Sequence, residues 1–192
     1  MSQKISSKFE IEYRSIFDEK KYLKIQEFLN KNAEDLGEDD QDVHFFLLPD
    51  RIVKVSNKIS KNTAKIVIKL NRLGRGTSDF EEIEIPINPS DFEKAIKLFS
   101  SLQFDQIQRT YQKRHNYIYK DVEIALKHTD SWGYHMELEV LVDNKSKKEK
   151  AEKKIKKIAQ ELGVKIMSEQ ELTDFAKKID EQYREGLYNK KT

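Results

Sequence analysis

The sequence predicts an α+β fold, an eight-stranded antiparallel β-barrel forming a tunnel, with helices packed outside it and a helical C-terminal tail. Three observations lead there. An alternation of charged and apolar residues occurs three times, in Glu10-Ile11-Glu12-Tyr13-Arg14, Glu82-Ile83-Glu84-Ile85-Pro86-Ile87 and Met136-Glu137-Leu138-Glu139-Val140. Successive side chains of a strand point to opposite faces, so each of these strands carries its carboxylates on one face and its apolar residues on the other. Five further segments read as strands, and the connections are mostly short, which suits a closed antiparallel barrel. The helices are amphipathic and must each bury a stripe, so the apolar strand faces pack outward against helices and the charged faces are left to line the inside.

Taken in order, Lys8 to Arg14 is the first strand. Asp18 to about Asn32 carries Tyr22, Leu23, Ile25, Phe28 and Leu29 at helical spacing, with Asp18 placed to cap, and Gly37 with the acidic run Glu38-Asp39-Asp40 is expected to close that helix. Val43 to Leu48 and Arg51 to Ser56 are strands around the turn Pro49-Asp50. The polar stretch Ser56 to Asn62 turns into Ala64 to Leu70, whose alternation sets Lys65 and Lys69 opposite Ile66, Ile68 and Leu70. Asn71 to Asp79, with Arg72, Gly74, Arg75 and Gly76, reads as a mobile basic loop. The second Glu-x-Glu strand ends at Asn88-Pro89, and Ser90-Asp91-Phe92-Glu93 reads as a capping box opening a helix to about Leu102. Ile107 to Tyr119 and Val122 to His128 are long strands joined tightly at Lys120-Asp121, and Thr129 to Gly133 turns into the third Glu-x-Glu strand, which ends near Asp143. From Lys145 the chain becomes rich in lysine and glutamate, with Ala151, Ile155, Ile158, Ala159 and Leu162 at helical spacing. A second capping box, Ser168-Glu169-Gln170-Glu171, opens a last helix through Leu172, Phe175, Ile179 and Tyr183, and Lys190-Lys191-Thr192 reads as a frayed end.

Composition bounds what such a chain can do. Its 192 residues suit a single domain over 1–192, with a tunnel core over about 7–143 and C-terminal helices over about 145–188. Basic and acidic side chains number 36 and 34, so the net charge is only +2 and a strongly basic nucleic-acid binder is disfavoured. The lysine-rich run Lys145 to Lys157 is accordingly read as a solvated helix face. No apolar run approaches the roughly 20 residues that span a bilayer, and no leader pattern opens the chain, so the expectation is a cytoplasmic protein without membrane contact, as monomer or homodimer. With no cysteine, disulfides, thiolate zinc sites and cysteine nucleophiles are excluded. A metal must then be held by oxygen or imidazole, which favours Mg2+ or Mn2+ over zinc.

Strand parity collects the carboxylates of Glu10, Glu12, Glu82, Glu84, Glu137 and Glu139 on the inner face. The same parity adds the cations of Arg14, Lys54, Lys65, Lys69, Arg114 and Lys127. A solvated sheet face would explain any one of the three Glu-x-Glu strands. Six clustered carboxylates need something positive among them, and a dry barrel could not hold so many ions, because each unpaired buried charge costs several kcal/mol. A hydrated tunnel with a highly charged ligand follows: the lysines and arginines suit a chain of phosphates, and the paired glutamates suit the divalent cations that accompany phosphates. Arg51 is an alternative to Lys54 as the cation of its strand, and His135 shares the parity of Glu137. Gly-x-x-x-x-Gly-Lys-Ser/Thr does not occur.

At this point the sequence resembles a known family. Glu10-Ile11-Glu12-Tyr13-Arg14 is similar to the Glu-x-Glu-x-Lys/Arg signature that opens the CYTH domain, the triphosphate tunnel metalloenzyme superfamily. The similarity continues through Leu102-Gln103-Phe104, Arg114 with Tyr117, and Gly133 followed by Glu137-Leu138-Glu139, in order over about Lys8 to Asp143. The resemblance implies an eight-stranded tunnel that binds a triphosphate with Mg2+ or Mn2+, in proteins that hydrolyse inorganic or thiamine triphosphate or cyclise ATP to cyclic AMP. By this likeness Glu10, Glu12, Glu137 and Glu139 hold metal, with Glu10, Glu12 and Glu139 the catalytic carboxylates. Arg14, Lys54, Lys69 and Arg114 hold phosphate oxygens; Lys65 and Lys127, inward by strand parity, are read as phosphate contacts beside them, and Glu82, Glu84, Arg51 and His135 are further candidates. Two positions depart from the family pattern, where Gln112 replaces a lysine and Lys127 replaces a metal-linked aspartate. Three readings stay open: a metal-dependent triphosphatase, a class IV-type adenylyl cyclase, and a nucleotide- or triphosphate-binding module without catalysis.

Overall fold

The computed structural model describes residues 9–70, 79–80 and 82–188. The basic loop expected over Asn71 to Asp79 lies, but for its last residue, outside the described residues, as do Lys8 and the tail Lys190 to Thr192. In chain order the elements are β1 (Phe9–Ile16), α1 (Glu19–Asn32), β2 (Glu34–Glu38), β3 (Gln41–Leu47), β4 (Ile52–Lys58), β5 (Thr63–Lys69), β6 (Asp79–Phe80) and β7 (Glu82–Ile87). There follow α2 (Phe92–Ser100), β8 (Gln106–Tyr119), β9 (Val122–Thr129), β10 (Gly133–Val142), α3 (Lys148–Glu161) and α4 (Glu169–Arg184).

The ten strand segments make eight antiparallel rows. β2 and β3 pair with successive stretches of β8, Glu34–Glu38 against 115–118 and Gln41–Leu47 against 106–112, so together they form one interrupted row. β6 and β7 sit at the two ends of the order β6-β1-β10-β9-β8-β3-β4-β5-β7, yet one residue separates them in the chain. The sheet is curled, with β6 paired to β1 at one end of the order and β7 paired to β5 at the other.

The helices cover the outside as the strand parity requires. Ile11, Tyr117, Ile124, Leu126 and Leu138 point outward from the sheet and pack against Ile25 and Leu29 of α1 and Ile155 and Ile158 of α3. On the far side Phe46, Val53 and Val55 pack against Phe92 and Ala95 of α2. Burying the apolar faces this way supplies the main driving force for folding and commits the alternate side chains to the interior.

Local signals held in some places and failed in others. Asp18 caps α1 by accepting from the Lys21 backbone N–H at 2.7 Å, and Ser168 and Glu171 form the reciprocal capping box of α4. Lys120 and Asp121 take φ of 49° and 53°, the left-handed pair that a two-residue hairpin between right-twisted strands demands. The acidic run does not close α1, which ends at Asn32 and passes directly into β2. The capping box at Ser90 does not form either. Pro89–Asp91 is a 3-10 turn capped by Asn88, whose side chain accepts from the Ser90 N–H, and α2 starts only at Phe92 without a side-chain cap. In the lysine-rich stretch, Lys147, Lys153 and Lys154 pair with Asp143, Glu149 and Asp121, as a solvated helix face would.

Candidate active site

The inward faces of the rows enclose a cavity of about 300 Å³, and all twelve charged residues expected on the inner face line it. His135 lines it too. Arg51 does not: it is exposed and pairs with its neighbour Asp50 at 2.6 Å. The row begins just beyond the Pro49-Asp50 turn, at Ile52, and its inward parity brings Lys54 and then Lys58 to the cavity. Lys58 and Glu123 also belong to the lining, the first because β4 runs two residues beyond Ser56, where the sequence predicts its end. Among the described residues seven cations and seven carboxylates face the cavity. The lining is therefore balanced by itself, and a triphosphate would bring a surplus of negative charge that calls for cations of its own.

The charges interleave, and Arg14 pairs with both Glu12 and Glu137. Glu137 sits among cations, with Lys127 Nζ at 2.9 Å, Arg14 Nε at 3.1 Å and Arg114 Nη1 at 3.8 Å. Burial would raise its pKa, yet Lys127, Arg14 and Arg114 hold it well below the usual carboxylate range. Lys69 stands between Glu10 at 4.0 Å and Glu12 at 3.8 Å and also pairs with Glu82, while Lys65 pairs with Glu84. Glu12, Glu139 and Glu123 lie directly opposite one another on β1, β10 and β9, with Glu10 beside Glu12. Burial and the Glu12 charge push Glu10 up to about 10, and burial with Glu12 and Glu123 pushes Glu139 up to about 7. Lys54 is depressed to about 8 by burial and by the neighbouring ammonium of Lys69.

The donor set at Glu10, Glu12 and Glu139 fits a hard divalent cation, because it is all carboxylate oxygen and carries like charges that burial penalises. The fit is one of charge and donor type: as the side chains stand, among the described residues no three of them close on a common point. Glu137 is the poorest of the four carboxylates expected to hold metal, since three cations already engage it. A prediction follows from the upward shifts. Without a cation the folded chain keeps protons on Glu10 and Glu139 that an unfolded chain releases above a pKa of 4.5, so stability is lost as pH rises from there, through about 7 for Glu139 and on to about 10 for Glu10. A divalent cation displaces those protons. Millimolar Mg2+ or Mn2+ should therefore raise the melting temperature more at about pH 8 than at about pH 5, and an equal rise at both would separate the cation from these carboxylates.

One end of the cavity is walled by aromatic residues and by α4. His135 Nδ1 donates to the Gly133 carbonyl at 2.9 Å, which leaves Nε2 as the bare nitrogen. Burial and Lys127 press its pKa down to about 3, so it is neutral. Trp132 lies 5.3 Å from the His135 ring, 4.9 Å from Phe175 of α4 and 5.8 Å from the Arg14 guanidinium. Ile179 and Tyr183 of α4 are buried and line the cavity. Gln108 donates to Asp180 at 2.8 Å, and the Tyr183 hydroxyl donates to the Arg109 carbonyl at 2.8 Å. The tail helix thus closes this end, a placement that its periodic stripe alone does not reveal.

The comparisons with known proteins agree with this fold. No curated protein matches the chain. Among solved structures, the PH1012 protein of Pyrococcus horikoshii OT3 is 25% identical with a TM-score of 0.68, over 81% of this chain and 91% of its own. The PH1819 protein of the same organism is 23% identical with a TM-score of 0.68, over 85% of this chain and 97% of its own. Hippeastrum HpAC1, described as an adenylyl cyclase candidate with a dominant triphosphatase activity, is 13% identical with a TM-score of 0.59, over 83% of this chain and 89% of its own. Among the described residues no helix is long and apolar enough to cross a membrane. The model of the CYTH domain matches residues 8–173, and the chain belongs to the CYTH domain family.

Proposed function

We propose that the protein is a metal-dependent triphosphatase that binds a triphosphate-containing molecule in the tunnel and hydrolyses its terminal phosphate. The observation that carries this reading is the cavity in which Arg14, Lys54, Lys65, Lys69, Arg114 and Lys127 converge from five strands beside the adjoining carboxylates of Glu10, Glu12 and Glu139. Phosphoryl transfer is catalysed mainly by positioning and by charge stabilisation, and needs no covalent nucleophile. Arg14, Lys69, Arg114 and Lys127 orient the phosphates and neutralise the diphosphate that leaves when the bridging P–O bond breaks. Glu10, Glu12 and Glu139 would hold Mg2+ or Mn2+, which when bound offsets charge on the phosphate oxygens. Glu139, directly opposite Glu12 on the neighbouring strand, is the carboxylate we assign to accept the proton of the attacking water. The triphosphatase activity described for the Hippeastrum relative supports this chemistry.

Incubation with inorganic triphosphate, thiamine triphosphate and ATP, each with Mg2+ or Mn2+, tests the proposal by its products. Phosphate release supports it, cyclic AMP and diphosphate from ATP would make the protein a cyclase, and tight binding without product would make it a binding module. The last reading has one observation in its favour, the ion pair that ties Lys127 to Glu137 where the family carries an aspartate.

The depressed pKa of Lys54 gives a second test. Its charged form is disfavoured in the folded chain, so this lysine alone costs stability as pH falls from the ordinary 10.5 through about 8. A bound triphosphate favours the ammonium and reverses the shift. Binding above about pH 8 should then take up a proton, seen by calorimetry in buffers of different ionisation enthalpy, and affinity should fall as pH rises. The uptake should shrink in Lys54→Met, and an unaltered uptake would assign the proton elsewhere.

A further inference from the structure

Asp39 is fully buried and is not part of the cavity lining, yet it bonds from behind to three residues that are. Its Oδ2 accepts from Lys58 Nζ at 2.9 Å and from Gln41 Nε2 at 3.1 Å, and lies 3.7 Å from Arg114 Nε. Asn116, which donates to the same oxygen at 3.2 Å, also accepts from Arg114 Nε at 2.7 Å. The backbone repeats the attachment. Asp39 N–H donates to the Arg114 carbonyl at 2.8 Å, and the Asp40 carboxylate accepts from the Arg114 N–H at 2.9 Å. The break between β2 and β3, where both segments lie along β8, is thus the place at which Arg114 is fixed.

A buried carboxylate is costly unless it is paired and hydrogen-bonded. Here burial would raise its pKa, but Lys58 and Arg114 hold it below the ordinary value, so it is ionised. Arg114 also lies 3.8 Å from both Glu123 and Glu137, so it is Lys58, whose ion pair is with Asp39, that presents an ammonium toward the cavity. Lys58 spends one N–H on Asp39, which leaves two for a ligand.

We infer that Lys58, Gln41 and Arg114 form a further anion subsite of the tunnel, for a phosphate group of the bound molecule, and that Asp39 is the positioning residue that holds it. This rests on the polyphosphate-binding reading above. Positioning and simple charge make opposite predictions. If Asp39 acted only through its field, removing its negative charge would tighten the binding of an anion. If it aims Lys58 and Arg114, the same change weakens binding.

The experiment is calorimetric titration of the full chain with inorganic triphosphate and Mg2+, comparing wild type, Asp39→Asn, Lys58→Gln, their double variant, Lys58→Arg and Lys69→Ala. Asp39→Asn and Lys58→Gln should each weaken binding about tenfold, the double variant by much less than their product, and Lys58→Arg should keep most of the affinity. If Asp39→Asn does not fold, the Lys58 pair decides, because Lys58 is partly exposed and its loss leaves the bonds from Asp39 to Gln41 and Asn116. Tighter binding in Asp39→Asn, or wild-type affinity in Lys58→Gln, would overturn the inference. Should Lys69→Ala weaken binding while Lys58→Gln does not, the subsite fails and the polyphosphate reading stands. A wild type that binds no triphosphate removes both.

Discussion

Glu12→Gln is expected to lower metal-dependent turnover by at least about a hundredfold, the scale on which loss of one preorganised charge-stabilising group acts, with the fold left in place. Glutamine keeps the shape of the side chain in a position that is almost wholly buried. The two cations that Glu12 engages keep other partners, since Arg14 remains 3.1 Å from Glu137 and Lys69 remains paired with Glu82. What disappears is the central charge of the carboxylate row, the one that pushes both Glu10 and Glu139 upward. Those two groups should then ionise at lower pH, and the set proposed to hold a divalent cation loses one of its three charges. Steady-state rates with Mg2+, read beside circular dichroism and a melting curve, check the result. Unchanged turnover would show that Glu12 takes no part in holding metal, and a collapsed melting curve would make its role structural.

Much of this site is legible in the sequence because one physical rule, the two-residue period of a strand, fixes it. Once Ile11, Leu138 and Ile124 are committed to the helices, Glu10, Glu12, Glu137, Glu139 and Glu123 have nowhere to go but inward. The same rule settles Lys54 against Arg51 as soon as the first residue of β4 is known. It fails where the row itself is misread. Ser56-Asn57-Lys58 is polar enough to pass for a turn, which hides that Lys58 continues the parity of Lys54. Asp39 escaped for a different reason. An acidic run after a helix suits a terminus, and nothing local shows that Glu34–Glu38 will ladder onto a strand some 80 residues away. The stripe of α4 is equally mute about its partner, since Ile179 and Tyr183 would suit an outer sheet face as well as the end of the tunnel.

Lys127 is where the sequence departs from the pattern that the family resemblance implies, and replacing it should show whether a carboxylate has been exchanged for a phosphate contact. On β9 it stands directly opposite Arg114, with its ammonium 2.9 Å from Glu137, and Gln112 lines the same cavity two residues from Arg114. Lys127→Asp removes a cation and sets a second carboxylate beside Glu137, so triphosphate affinity should fall by about 3 kcal/mol, roughly a hundredfold, at the upper end for a charge-assisted hydrogen bond. Gln112→Lys returns a cation to the same stretch of the lining. The double variant should therefore recover affinity, with a coupling above the roughly 0.5 kcal/mol that independent sites show. Strictly additive changes would mean that the two positions share no ligand. Turnover distinguishes the remaining readings. If the exchange has left a binding module, the double variant should gain hydrolysis that the wild type lacks, because it regains an inward carboxylate. If the wild type is already a fast triphosphatase, the pair of changes should alter affinity with little gain in rate, and Lys127 is then a phosphate contact of a working enzyme.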